Sequence, residues 1–375
     1  VSNLYSIDFC NEPVPRAFHN GMLNSSDVNA LQENQSLSAW TTFGVGGPAR
    51  YFVNAQSEAD VRAALDFATT RKIPVFVLGG GSNLLVADRG FPGLVLRVGL
   101  KGRVWEGSQL RAAAGEDWDA VVAECVDRGL GGVECLSGIP GLVGGTPVQN
   151  VGAYGQEVSE TIVSVRALDR QTGATTTLSP DQCGFSYRTS IFNSTRRDCY
   201  LILEVTYALK QNAAPQVKYP DLVRRFEGSA APPTLLDVRR VVREVRQSKG
   251  MLLVNGDPDC RSAGSFFKNP ILTETQYAAL QSGAAETVPR YPASSGNIKT
   301  SAAWLIERAG FRKGFAIGPA AVSSKHTLAI VNRGGSRAED LLTLAKTIRR
   351  GVEDKFGVRL VPEPVFVGFK EEEWS

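Results

Sequence analysis

The sequence predicts an α/β or α+β protein of two or three domains, and three observations carry that expectation. At 375 residues the chain exceeds what one ordinary core organises. A strand–helix–strand pattern with short connections runs from Arg50 to Leu78, and a second such unit begins near Gly102. The composition, 43% hydrophobic and 21% charged, is that of a soluble globular chain.

Arg50–Asn54 reads as the first strand. Ser57 then offers its hydroxyl as N-cap to a helix over Glu58–Arg71, with Val61, Ala64, Leu65 and Ala68 on one face. Pro74 opens a buried strand, Val75–Leu78, and Leu94–Val98 forms another. In the second unit, strand Leu110–Ala114 precedes a helix over Asp117–Arg128. Its apolar face holds Trp118, Val121, Val122 and Cys125, and Gly129 stops it. Leu136–Gly155 is too rich in glycine and proline for a long helix or central strand. It is also too apolar for a solvated linker, so it is expected to wrap something. Strands follow at Ile162–Asp169 and Tyr200–Leu209, then a looser segment, Asn212–Pro233, and a helix over Leu235–Gln247.

After Gly250 the turn-rich run Asp257–Gly264 leads into Ser265–Pro270. A helix over Ser301–Ala309 ends at Gly310, and strand Thr327–Asn332 precedes a long helix, Ala338–Phe356. Leu341, Ala345, Ile348 and Val352 give that helix its period. Val358–Phe369 is expected to be a strand, with Pro362 and Pro364 flanking Glu363.

A net charge of +3 is too balanced for a nucleic-acid or membrane-surface binder. No run of about 18 apolar residues is available to span a membrane. The six cysteines include no C-x-x-C pair and are expected as buried, reduced thiols. Two histidines, His19 and His326, leave little for a His-based metal centre or a Ser/His/Asp triad. The polar N-terminal stretch lacks the pattern of a secretory signal.

The glycine run in Val75–Leu85 is the most suggestive motif. Gly79, Gly80 and Gly81, followed by Ser82 and Asn83, could cradle phosphate oxygens with backbone N–H groups, or could be a plain tight turn. A Rossmann fingerprint does not fit, because Leu84 stands where its third glycine belongs. Together with Thr42-Phe43-Gly44 and the Gly138–Gly155 loop, the run suggests one large phosphate-bearing cofactor. Three side chains further on could carry chemistry. Arg188 could clamp a carboxylate or stabilise an enolate oxygen, Ser265 between a glycine and two phenylalanines could relay a proton, and Glu363 could act as acid or electrostatic stabiliser. Each alone also reads as an ordinary surface or turn residue.

In combination these segments resemble the UDP-N-acetylenolpyruvoylglucosamine reductase family. The resemblance runs from about Leu37 to Phe369 through TTFGVGGPA, VLGGGSNLL, GIPGLVGGTPVQNVGAYGQE, FSYRTSIF, SAGSFFKNP, AAWLIERAG, AVSSKHTL and VPEPVFVG. Thr41 replaces the family's usual Asn, and the turn between Lys249 and Ser265 is longer. The resemblance implies an α+β fold: a two-part FAD-binding region of the vanillyl-alcohol-oxidase/PCMH type plus a smaller α+β substrate-binding domain. The implied division is an extension over 1–36, FAD-binding subdomains over 37–100 and 101–250, a substrate domain over 251–357 and a returning C-terminal strand over 358–375.

It further implies non-covalent FAD, NADPH as reductant and an enolpyruvyl ether of UDP-N-acetylglucosamine as substrate, in a cytoplasmic monomer of peptidoglycan precursor synthesis. Ser265 would donate a proton while Arg188 and Glu363 stabilise the enolate. FAD would be held by Gly79, Gly80, Gly81, Ser82, Asn83, Gly138, Ile139, Pro140, Gly141, Gly145, Gly152, Ala153 and Tyr154. Tyr219, which folds over the diphosphate in one subgroup, would bind the sugar nucleotide with Lys249, Asn269, Lys325 and His326. A covalent-flavin oxidase is disfavoured because no histidine lies in a cofactor loop. A UDP-sugar-binding regulator would not need Arg188, Ser265 and Glu363 together.

Overall fold

A computed structural model of the chain describes residues 31–293 and 296–374. The first sheet contains β1 (Gln32–Ser36), β2 (Pro48–Ala55), β3 (Val75–Leu78) and, after β4 (Leu84–Val86), β5 (Phe91–Val98), in the order β1-β2-β5-β3. β1 and β2 are antiparallel, whereas β5 runs parallel to both β2 and β3. Helix α1 (Glu58–Arg71) makes the crossover between β2 and β3. Its start is doubly fixed: Ser57 Oγ accepts from Asp60 N–H, and Asp60 Oδ2 accepts from Ser57 N–H.

β1 corrects the expected boundary at residue 36. Residues 1–30 of the anticipated extension, with Cys10 and His19, lie outside the described residues, but Gln32–Ser36 pairs with β2. That edge strand is polar and largely exposed, held by its backbone ladder, so it carries no hydrophobic alternation to betray it.

The second sheet is antiparallel and five-stranded: β6 (Arg103–Glu106), β7 (Gln109–Ala113), β8 (Ile162–Asp169), β9 (Thr175–Leu178) and β10 (Tyr200–Ala208), ordered β9-β8-β10-β7-β6. Helix α2 (Trp118–Asp127) is capped by Asp117, whose Oδ1 accepts from Ala120 N–H. A shared core joins the two sheets through Val53, Phe67, Leu94, Leu110, Trp118, Val165 and Tyr207. The segment read as loose contains α3 (Pro220–Phe226), begun by proline at its first position. Next comes α4 (Leu235–Ser248), whose valine face packs on Leu222 of α3.

The third unit gathers α5 (Glu274–Gly283), α6 (Ala302–Arg308), and a small antiparallel sheet of β11 (Ala316–Ile317), β12 (Ala320–Val322) and β13 (Ile330–Asn332). The long helix α7 (Ala338–Phe356) follows. Asp88, from the turn after β4, accepts from Ala338 N–H and Glu339 N–H at 2.9 and 3.1 Å. A carboxylate thus sits at the positive end of α7 and ties the third unit to the first.

Two expected strands are shorter than anticipated. Thr327 and Leu328 are not strand, because Ala329 N–H turns back to the His326 carbonyl. In the C-terminal tail only Val365–Val367 (β14) forms a ladder, parallel to β4, because Pro362 and Pro364 supply no N–H. Cys125, Cys135 and Cys183 are buried free thiols, and burial pushes the Cys125 and Cys183 pKa values up to about 12 and about 11.

Candidate active site

A cleft of about 1380 Å³ opens between the glycine loops and the third unit. That exceeds the ~300–1,000 Å³ of a drug-sized pocket and suits a cofactor together with a nucleotide. Gly80 and Gly141 bring its two glycine loops into apposition: a Cβ on Gly80 would lie 2.5 Å from the Gly141 Cα. Gly81, at φ +66°, closes on the other side, where a Cβ would fall 1.7 Å from the Trp40 carbonyl oxygen. Gly79 instead faces open space at the cleft wall.

The carbonyls of Gly81 and Asn83 accept from Thr42 N–H and Val365 N–H. Among the described residues, however, no N–H of residues 79–83 donates to another protein group. A row of unspent amides beside a glycine-made gap is what a cofactor diphosphate requires. The residues therefore fit FAD.

Ile139, Pro140, Gly141, Gly145, Gly152, Ala153 and Tyr154 line the same cleft. Gly138 does not. Its N–H donates to Asp119 Oδ1 at 2.6 Å and its carbonyl accepts from Arg246 Nε at 3.0 Å, so both polar groups are turned into the support of the loop. Arg246 is buried, which lowers its pKa, and it also donates to the Met251 carbonyl at 2.7 Å. The sequence reading missed it because an arginine on a polar helix gives no sign of being swallowed.

Arg188, Ser265 and Glu363, widely spaced in sequence, all face this cleft. Arg188 has a left-handed backbone, φ 55°, with its carbonyl bound by Asn193 Nδ2. Such a conformation is rare for a side chain other than glycine, Asn or Asp and is typically held by its surroundings. Its Nη2 donates to the Gly152 carbonyl at 2.8 Å, and its Nε lies 3.1 Å from Glu363 Oε1. That contact is an ion pair, not an aligned hydrogen bond, since the buried Nε–H has no acceptor in line.

Glu363 is placed by backbone pairing. Its N–H donates to the Phe266 carbonyl at 2.8 Å, Lys268 N–H donates to the Val361 carbonyl, and Asn83 Nδ2 donates to the Glu363 carbonyl. Ser265 stands one residue before Phe266, after Gly264 at φ +72°, and its hydroxyl makes no hydrogen bond within the protein among the described residues. Lys268, also missed, lines the same wall; burial pushes its ammonium below the ordinary lysine range, Glu363 opposing and Arg188 adding to the effect.

At the far end, Tyr219 caps α3 and packs edge-on against Tyr154 at 5.4 Å. Lys249 Nζ lies 2.6 Å from Asp221 Oδ2 and 5.9 Å from the Tyr154 ring centroid. Asn269 Oδ1 accepts from Ala302 N–H at the start of α6, which fixes the amide facing the cleft. His326 lines the cleft too, its pKa pushed down to about 4 by burial and then by the charges of Lys249 and Lys313. Lys325 is not in the wall; it pairs with Asp257 at 2.5 Å. The step from Lys325 to His326 points successive side chains to different sides of the turn.

A cleft with an amide-lined cofactor seat, an arginine–glutamate ion pair and a serine hydroxyl in its walls fits a flavin-dependent oxidoreductase. Residues 49–179 match the FAD binding domain family, and residues 257–367 match the C-terminal domain of UDP-N-acetylenolpyruvoylglucosamine reductase. The chain belongs to the UDP-N-acetylenolpyruvoylglucosamine reductase family. It is 47% identical to the reductase of that name from Thermobifida fusca, over 91% of this chain and 99% of the relative. The Saccharopolyspora erythraea reductase is 49% identical, over 88% of this chain and 94% of the relative. Among solved structures, the reductase from Thermus caldophilus superposes with a TM-score of 0.63 at 28% identity, covering 90% of this chain and 99% of the other. The fold is accordingly the two-part FAD-binding type with a smaller substrate domain, and the protein is an FAD-dependent NADPH oxidoreductase.

Proposed function

We propose that this cleft reduces the enolpyruvyl group of UDP-N-acetylglucosamine enolpyruvate to UDP-N-acetylmuramate, with Arg188, Ser265 and Glu363 as its catalytic residues. The single observation that carries the assignment is the Arg188–Glu363 ion pair, set in the cleft wall beside the Ser265–Phe266 segment to which Glu363 is hydrogen-bonded. FAD, when bound, would supply the hydride chemistry that links NADPH to the substrate's terminal vinyl carbon. The seat for its phosphates is residues 79–83 and the facing loop from Ile139 to Tyr154, with Gly138 supporting that loop from behind.

Arg188 meets the substrate carboxylate with its guanidinium from the cleft wall, and Glu363, beside the Arg188 Nε, keeps that guanidinium oriented. As negative charge spreads from the vinyl group onto that carboxylate, Arg188 stabilises the enolate directly and Glu363 does so by holding the guanidinium in place. Ser265 then gives its hydroxyl proton to the carbon that bears the ether oxygen. Tyr219, Lys249, Asn269 and His326 hold the UDP end, while Lys325 supports the turn that presents His326. Four units, 37–100, 101–250, 251–357 and 358–375, divide this labour, the first extended back to β1. Among the described residues no helix is long and apolar enough to cross a membrane. The reading places the protein in the cytoplasm as a monomer, without nucleic-acid partners.

Separating the half-reactions tests the assignment. Ser265→Ala should leave flavin reduction by NADPH near normal and slow reoxidation by the enolpyruvyl substrate at least ~10²-fold. Ser265→Cys, which keeps an acidic proton, should recover part of the loss. Undiminished reoxidation in the alanine variant would remove Ser265 from the mechanism, and equal slowing of both steps would point to a damaged flavin seat.

A further inference from the structure

Lys249, the cation assigned to the substrate diphosphate, is already engaged. Asp221 Oδ2 sits 2.6 Å from its Nζ, and both side chains are largely covered, at 24% and 30% exposure. The other Asp221 oxygen lies 2.5 Å from Arg224 Nη2. Asp221 is the second residue of α3, two positions after Tyr219, the residue assigned to cover the diphosphate. Tyr219 and Lys249 meet on one ring, Tyr154, from edge and face. A carboxylate therefore occupies the ammonium that the diphosphate reading assigns to a phosphate.

The pair is not needed to dock α3. Leu222 is fully buried among Val238, Val241, Val242 and Val245 of α4, and Arg225 reaches Glu244 at 3.3 Å. Apolar burial of a leucine is worth more than a partly exposed ion pair, so α3 and Tyr219 should keep their place without the Asp221 charge. Burial works to raise the Asp221 pKa, but the hydrogen bonds and charges of Lys249 and Arg224 hold it below the usual carboxylate range. Asp221 is thus anionic whenever substrate arrives.

We propose that Asp221 is an internal stand-in for phosphate: it holds Lys249 in the ligand-free cleft and must be displaced by the nucleoside diphosphate, so that it sets sugar-nucleotide affinity. The proposal rests on the reading that Lys249 takes the diphosphate. It makes Asp221 a positioning residue with a negative effect on binding, since each binding event must break its ion pair and bring phosphate charge beside a carboxylate.

The test is calorimetric titration of UDP into FAD-loaded protein. Lys249→Met alone should weaken UDP at least about tenfold; unchanged affinity there would overturn the diphosphate reading itself. Asp221→Asn, which keeps size and hydrogen bonding but removes charge, should tighten UDP about fivefold, with Asp221→Ala changing it in the same direction. In steady state the Asn variant should lower KM for the enolpyruvyl nucleotide without raising kcat. The gain should vanish in a Lys249→Met background, the signature of direct coupling. Unchanged or weaker UDP binding by Asp221→Asn, while Lys249→Met still weakens it, would overturn the proposal and make the pair a structural fastener. A gain that persists without Lys249 would overturn it as well, by reducing Asp221 to diffuse repulsion.

Discussion

Gly79 and Gly80 are neighbours with opposite structural duties, and alanine at each should separate folding from cofactor binding. At Gly80 the added Cβ would lie 2.5 Å from the Gly141 Cα and 3.0 Å from its carbonyl carbon, where ordinary contact begins at 3.4 Å. Both neighbours are backbone, so the two glycine loops must part by about 1 Å, an overpacking that costs ~1–3 kcal/mol. If the loops form the cofactor seat jointly, Gly80→Ala should melt a few degrees lower even when stripped of flavin and should bind FAD ~5–150-fold more weakly. At Gly79 a Cβ meets nothing within 4 Å, and the backbone is not in the left-handed region, so the stripped variant should be within ~0.5 kcal/mol of the parent. Its methyl group would nonetheless stand at the cleft wall, between the unspent amides and a bound phosphate. Flavin affinity should therefore fall in Gly79→Ala without any loss of intrinsic stability. Flavin-to-protein absorbance ratios after dialysis, with melting curves recorded with and without added FAD, give both quantities. A Gly80→Ala protein that keeps full flavin and the parental melting temperature would refute the apposed-loop seat. A Gly79→Ala protein that binds FAD normally would show that the amide row faces elsewhere.

Two further outcomes are expected. Acid precipitation should release yellow flavin into the supernatant, because no histidine or cysteine lies among residues 79–83 or 138–155; colour in the pellet would refute non-covalent binding. His326, held neutral down to about 4 against an ordinary 6.5, favours the folded state at higher pH and loses that contribution as pH falls from about 6.5 to about 4, by up to roughly 3 kcal/mol. His326→Gln should therefore flatten the acid side of the stability profile in that window, and an unaltered slope in denaturant titrations would exclude the histidine as its source.

Local signals foretold the elements that local chemistry builds. The bounds of α1 are those expected because Ser57 and Asp60 cap each other and Lys72 at φ 53° ends the helix. α7 spans the expected residues because its buried positions recur with helical period and Gly357 closes it. β8 likewise occupies its expected span, Ile162–Asp169. Signals failed where partners decide. The polar residues of β1 are strand only because β2 offers an edge. The segment around α3 reads as loop, because Leu222 becomes an anchor only against α4. At the site, the side chains proposed to act on a substrate were visible through their motifs. Those that act on other residues, Asp221 on Lys249 and Arg246 on Gly138, were not, since each announces itself only by what it touches.

The placement of Glu363 shows how a short tail can assemble a site from distant parts. Between Pro362 and Pro364 the only backbone donor is the N–H of Glu363, and it goes to the Phe266 carbonyl. The next donor along, Val365 N–H, goes to the Asn83 carbonyl at the end of the glycine run. Beyond it, Val365–Val367 pairs with Leu84–Val86 in register. The prolines thus restrict the hydrogen bonds the tail can make, and the donors that remain are assigned to different walls of one cleft. A shift of the tail by one residue would place a proline, with no N–H to give, opposite Phe266 and would withdraw the carboxylate from Arg188. The register that satisfies the backbone is therefore the register that sets Glu363 Oε1 at 3.1 Å from the Arg188 Nε, so pairing geometry and active-site geometry are one constraint.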